Sequence, residues 1–155
     1  MWYFAYGSNL NSKAVSEWCR HFGHKPPNLK PGKPGVLDNY RLSFPIFSEY
    51  WGGGIADIVY DPGKYVMGVL FDLPEADLAV LDLKVARKQD GSGKDVGVYK
   101  RIDVSVSPLG KGEPVKALTY PDAVARLIRM EEELAADPAA AARAGHLQIV
   151  SRRGA

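Results

Sequence analysis

The stretch YFAYGSNL, Tyr3 to Leu10, is an apolar run that ends abruptly in Gly, Ser and Asn instead of in charged residues. Small residues at such a turn let a ligand approach the backbone. Successive amides there form an anion-binding nest or an oxyanion hole, to which the Ser8 and Asn9 side chains add donors. The same composition also serves a plain strand-to-helix turn. Cys19, the only cysteine, excludes an internal disulfide framework and a cysteine-rich zinc site, and its place among apolar residues marks it as core and not as a nucleophile. His21 and His24 flank Gly23 with no carboxylate at metal-ligand spacing, so they are expected to act as helix-end groups, and no metal is assigned.

The turn must be held by its neighbours. Trp2 to Tyr6 is aromatic-rich and strand-like, and after the turn Val15, Trp18, Cys19 and Phe22 recur on one helical face, with Gly23 as a cap. The segment HKPPNLKPGKPG is dense in Pro and Gly and is expected to be a loop. Val36 to Phe44 is expected to be a strand. IADIVYDPGKYVMGVLFDL is expected to form two strands joined at DPGK, where Pro62 presets φ and Gly63 tolerates the turn. A short helix follows Pro74, with Leu78, Leu81 and Val85 on its apolar face, and the polar stretch RKQDGSGKD ends it. VYKRIDVSV alternates strictly, placing Ile102, Val104 and Val106 on one side and Tyr99, Arg101 and Asp103 on the other. Val115 to Tyr120 is a last short strand, and PDAVARLIRMEEELAAD is a helix whose MEEEL segment is a solvated face.

Strands outnumber helices and are joined mostly by turns, which predicts an α+β fold built on a small, bent, mostly antiparallel sheet or barrel. The length, 155 residues, suits a single domain over 1–155, with a tail after about residue 137 expected to fray. The composition, 46% hydrophobic and 25% charged, is that of a chain able to build a core. A net charge of +2 supplies no strong field, so small-molecule ligands are expected, and neither nucleic acid nor a membrane surface. The start, MWYFAY, lacks the basic flank of a signal peptide, and no run approaches a membrane span, which points to the cytoplasm.

Five stretches in order resemble the γ-glutamylcyclotransferase-like family: YGSNL, WGGGIADIV from Trp51, VMGVLFDL from Val66, LD at Leu81 and Asp82, and GVYKR from Gly97. The resemblance covers roughly residues 2 to 106, and ordered motifs are far more specific than any one alone. It implies a small bent β-barrel with flanking helices, no metal or cofactor, and cleavage of γ-glutamyl amides with release of 5-oxoproline. In that reaction the substrate's own α-amine attacks its γ-carbonyl, so a protein must accept a proton and stabilise an oxyanion.

The resemblance assigns Tyr6, Gly7, Ser8, Asn9 and Leu10 to the substrate-binding turn, with Gly53, Tyr99 and Tyr120 around it. The family's carboxylate lies in a pattern LDxxEG, which departs here. Without a gap from Leu81, the glutamate position falls on Val85, which cannot exchange a proton. Anchored instead on KQDG, it falls on Asp90, one methylene shorter, whose surroundings equally suit a solvated turn. Two further carboxylates, Asp57 and Asp82, are candidate bases for other acyl chemistry at the same turn. The alternative is a noncatalytic protein that binds a small ligand in the same pocket.

Overall fold

The computed structural model describes residues 1–48, 52–86 and 101–121. All of them belong to the first of the two units into which the chain divides, Met1–Ala125 and Arg126–Ala155. The helix and tail expected beyond residue 121 lie outside the described residues. Five strands, β1 (Trp2–Ala5), β2 (Gly32–Ser48), β3 (Gly53–Asp72), β4 (Ile102–Pro108) and β5 (Val115–Thr119), close into a barrel in the order β1, β3, β2, β4, β5. Every pairing is antiparallel except the closing one, where β1 runs parallel to β5 through Tyr3 and Leu118. The expected class and architecture therefore stand.

Alternation along the strands divides the core in two. Phe4, Leu37, Leu70, Val106 and Ala117 come from all five strands and fill the barrel. Their strand neighbours Tyr3, Ala5 and Phe71 join Val15, Trp18, Leu78 and Leu81 in a second cluster, against the helices α1 (Ser12–His21) and α2 (Glu75–Ala86). Full burial of such a side chain contributes about 1.5–3 kcal/mol. Asn11 caps α1, its Oδ1 accepting from the amides of Lys13 and Ala14 at 3.1 Å each. Gly23 takes φ 73° just past the helix, as its sequence position predicts. Pro74 opens α2, its carbonyl accepting from the amides of Asp77 and Leu78.

Two local expectations are corrected. DPGK does not join two strands: β3 runs without interruption from Gly53 to Asp72, and both halves pair with β2. The register jumps from the pair Asp38 and Tyr65 to the pair Tyr40 and Tyr60, so residues 61–64 bulge out opposite Asn39. Asn39 adopts φ 63° and Gly63 φ 83°, and the Gly63 amide donates to Asn39 Oδ1 at 3.2 Å. The turn signal thus makes a bulge, because β2 offers a continuous partner on both sides of it. The second correction is that β2 begins inside the Pro-rich segment, at Gly32. Pro34 fits the ladder there by accepting from the Leu109 amide at 2.9 Å, a bond that needs only its carbonyl.

Candidate functional site

Strand β1 delivers the chain to Tyr6 and Gly7, and a single 3₁₀ turn, Ser8–Leu10, then leads into α1. Glycine is favoured by the close approach of β3: a Cβ on Gly7 would meet the Ala56 Cβ at 3.2 Å, a contact that only a small shift of β3 would relieve. The turn closes through the Leu10 amide, which donates to the Gly7 carbonyl at 3.0 Å. The Ser8 and Asn9 amides lie ahead of that first bond, where a turn has no internal acceptor for them.

Asn9 is buried and bonded on both ends of its amide. Its Nδ2 donates to the Tyr3 hydroxyl at 2.7 Å, and its Oδ1 accepts from Lys84 Nζ at 2.6 Å. An ammonium only donates, which fixes the orientation of that amide. Lys84 also donates to Ser8 Oγ at 3.1 Å, so one cation on α2 holds two consecutive residues of the turn. Burial lowers the Lys84 ammonium from its ordinary 10.5 to about 8, the neighbouring Cys19 acting weakly in the opposite sense. Burial also pushes the Tyr3 hydroxyl well above its ordinary range, with the Asn9 bond opposing.

Beside the turn, Asp82 is gripped by Arg101 in a bidentate pair, Nε to Oδ1 at 2.7 Å and Nη2 to Oδ2 at 2.6 Å. The Tyr120 hydroxyl donates to the same Oδ1 at 2.6 Å. Burial, then the Asp82 bond, raise the Tyr120 hydroxyl, and Asp82 raises the Arg101 guanidinium. With both oxygens engaged, Asp82 acts as a clamp between α2, the start of β4 and the end of β5. Tyr120 is tied back to the turn as well: its carbonyl accepts from the Tyr6 hydroxyl at 2.5 Å, and its ring lies 5.6 Å from that of Tyr3.

Of the residues expected at the site, Tyr6, Gly7, Ser8, Asn9 and Tyr120 therefore meet in one bonded neighbourhood. Leu10 contributes its backbone, while its side chain is exposed. Gly53 pairs with Ser48 at the far end of the β2–β3 ribbon, where a Cβ would meet no atom within 4 Å. Tyr99 and Asp90 lie outside the described residues. Val85 packs half-buried against the helix-side core, as its place beside Leu78 and Leu81 predicts. Asp57 is fully buried on β3, next to the Ala56 that abuts Gly7, and its Oδ1 accepts from the Ile58 amide at 2.8 Å. Sequence reasoning missed Lys84. Its signal was a cation three residues after Leu81, on the edge of an otherwise apolar helix face. Among the described residues no group of three or more His, Cys, Asp or Glu is placed to hold a metal, and no helix is long and apolar enough to cross a membrane.

The chain is similar to several known proteins. The chain is 33% identical over 122 residues to a gamma-glutamylcyclotransferase from Mus musculus and 35% identical over 122 residues to one from Bos taurus. Each alignment covers 76% of this chain and 57% of the relative, so the chain spans little over half the length of the curated relatives it matches. A solved structure named gamma-glutamyl cyclotransferase superposes with a TM-score of 0.57 at 26% identity, covering 78% of this chain and 65% of that one. The family model described as gamma-glutamyl cyclotransferase, AIG2-like, matches residues 3–135. With its barrel and its YGSNL turn, the chain belongs to the gamma-glutamyl cyclotransferase, AIG2-like family.

Proposed function

We propose that the chain binds a γ-glutamyl amine or peptide at the Gly7–Asn9 turn and releases 5-oxoproline from it. The observation that carries this reading is the turn itself, in which Ser8 and Asn9 are fixed by Lys84 and Tyr3. Donors held in place before the reaction stabilise a developing oxyanion without reorganising, which is where such sites gain most of their effect. The substrate's α-amine would attack its own γ-carbonyl to close a five-membered ring, and the amide bond to the departing amine would break. The names of the relatives support the same chemistry.

The test is calorimetric binding of a γ-glutamyl dipeptide and of its α-linked isomer, with 5-oxoproline measured by chromatography. The γ-linked compound is expected to bind and the isomer not to. Gly7→Val is expected to weaken binding at least about tenfold, because even a Cβ already crowds Ala56. Equal affinity for the two isomers would sink the reading.

Val85 supports a second reading, a protein that binds the compound without turning it over, since valine packs where an ungapped alignment places the family's carboxylate. Binding without 5-oxoproline would establish it. Turnover abolished by Asp90→Asn would instead establish a displaced carboxylate as base. Val85→Glu is expected to gain turnover only if the new side chain leaves the core for the turn.

A further inference from the structure

We infer that Lys84 is the proton acceptor of the γ-glutamyl reaction, exchanging protons with the substrate's α-nitrogen through the Ser8 hydroxyl. The inference rests on the reading of the Gly7–Asn9 turn as the γ-glutamyl site and assigns the base that Val85 cannot supply. Geometry carries it. Lys84 Nζ lies 3.1 Å from Ser8 Oγ and 2.6 Å from Asn9 Oδ1, while Asn9 is itself held by Tyr3 at 2.7 Å. A base within hydrogen-bond reach of a hydroxyl, and oriented by a third group, is the arrangement that activates such a hydroxyl. Ser8 is exposed where Lys84 is buried, so the hydroxyl is the element of this chain that meets a ligand on the turn.

Lys84 sits one residue before the ungapped glutamate position, and the two side chains diverge: Val85 goes to the core and Lys84 to the turn. A neutral amine at Nζ would give one hydrogen to Asn9 Oδ1 and accept from the Ser8 hydroxyl, whose direction of donation thereby reverses. Burial brings that neutral form within reach near neutral pH and makes it the major form above about pH 8, close to where a general base is most effective. Among the described residues the titratable neighbours are the Cys19 thiol on α1, and the Tyr3 hydroxyl on β1, reached through Asn9. Asp57 lies one residue beyond the Ala56 that abuts Gly7 on β3, and on α2 itself Asp82 is engaged by Arg101 and Tyr120.

The proton balance closes. The substrate ammonium gives a proton to Ser8 Oγ as Ser8 passes its own to Lys84, and the freed amine forms the bond to the γ-carbon. As the tetrahedral intermediate collapses, the bond to the departing nitrogen breaks and Lys84 returns the proton by the same path. The ring nitrogen then gives its second proton to Lys84 through Ser8 and the departing amine takes it up by the same path, so two protons leave one nitrogen, two reach the other, and Lys84 ends each turnover as it began.

The experiment measures 5-oxoproline release and calorimetric binding of a γ-glutamyl dipeptide by wild type, Lys84→Arg, Lys84→Met and Ser8→Ala. Arginine keeps a cationic donor but does not accept a proton near neutral pH, so Lys84→Arg separates proton transfer from positioning. All three variants are expected to bind and to lose about 10²–10⁴-fold in turnover. The wild-type kcat/KM is expected to rise with pH to a limb near 8 that Lys84→Arg lacks, beyond the substrate ammonium's own titration common to both. Turnover retained in Lys84→Arg, or in Ser8→Ala, whose exposed position leaves folding intact, would overturn the inference. Wild type that binds without releasing 5-oxoproline would overturn it too. Absence of γ-glutamyl binding by wild type would instead overturn the reading of the turn on which it rests.

Discussion

Lys84 stores free energy in its burial, and the sign of its effect on stability follows from the direction of its shift. Its folded value, about 8, lies below the ordinary 10.5, so between these values the unfolded chain binds a proton that the folded chain does not. Stability therefore rises with pH across that window, by up to about 1.4 kcal/mol per pH unit for one proton. Tyr3 and Tyr120 act oppositely. Both hold their protons more tightly when folded than when unfolded, and their contribution falls once pH exceeds their ordinary value of 10.0. Thermal melts of wild type should gain stability from pH 8 to about 9, level off as the Cys19 thiol, also pushed up by burial from its ordinary 9.0, begins to oppose Lys84, and lose stability above 10. In Lys84→Met the gain should vanish while the loss remains. A wild-type melting curve that declines steadily from pH 8 would contradict the burial of a protonatable Lys84.

At the scale of elements, the site depends on how closely β1 and β3 approach. Gly68 lies next to Val69, the partner of Ala5 across that pairing, and a Cβ on it would strike the Ala5 carbonyl and come within 2.6 Å of the Phe4 ring. Backbone cannot yield as a flexible side chain does. Gly68→Ala is therefore expected to cost about 1–3 kcal/mol or more, through overpacking beside the strand that leads into the turn. Urea denaturation checks it, and an unchanged midpoint would show that β1 can shift without cost. The β2–β3 ribbon shows why element types were easier to read than their connections. DPGK has the chemistry of a hairpin turn, and φ 83° at Gly63 honours it. Whether such a turn reverses the chain or bulges from it depends on whether a partner strand continues past it, and β2 does.

For the whole molecule, closure of the barrel joins the chain's first strand to its last described one. The Thr119 hydroxyl donates to the Phe4 carbonyl at 2.8 Å, fully buried, across 115 positions of sequence. Thr119→Val keeps the shape and removes the donor, and is expected to cost about 0.5–1.5 kcal/mol through the loss of this buried hydrogen bond. Amide exchange of β1 should accelerate with it, and unchanged protection there would place closure elsewhere. What the sequence by itself determined was local. Period-two runs set strands, Leu78, Leu81 and Val85 set a helix face, and Gly7, Ser8 and Asn9 set a bare turn, because each signal lies within a few consecutive residues. The resemblance carried by YGSNL and its companion stretches extended that reading to the family and to the barrel. Only the tertiary structure decided what stands beside the turn. Lys84 lies 75 and 76 positions from Asn9 and Ser8, and Asp82 meets Arg101 and Tyr120 across 19 and 38. No periodicity links such residues. A lysine on an apolar helix edge reads as a solvated cation until the fold brings an amide and a hydroxyl to it, and burial then changes the proton it holds.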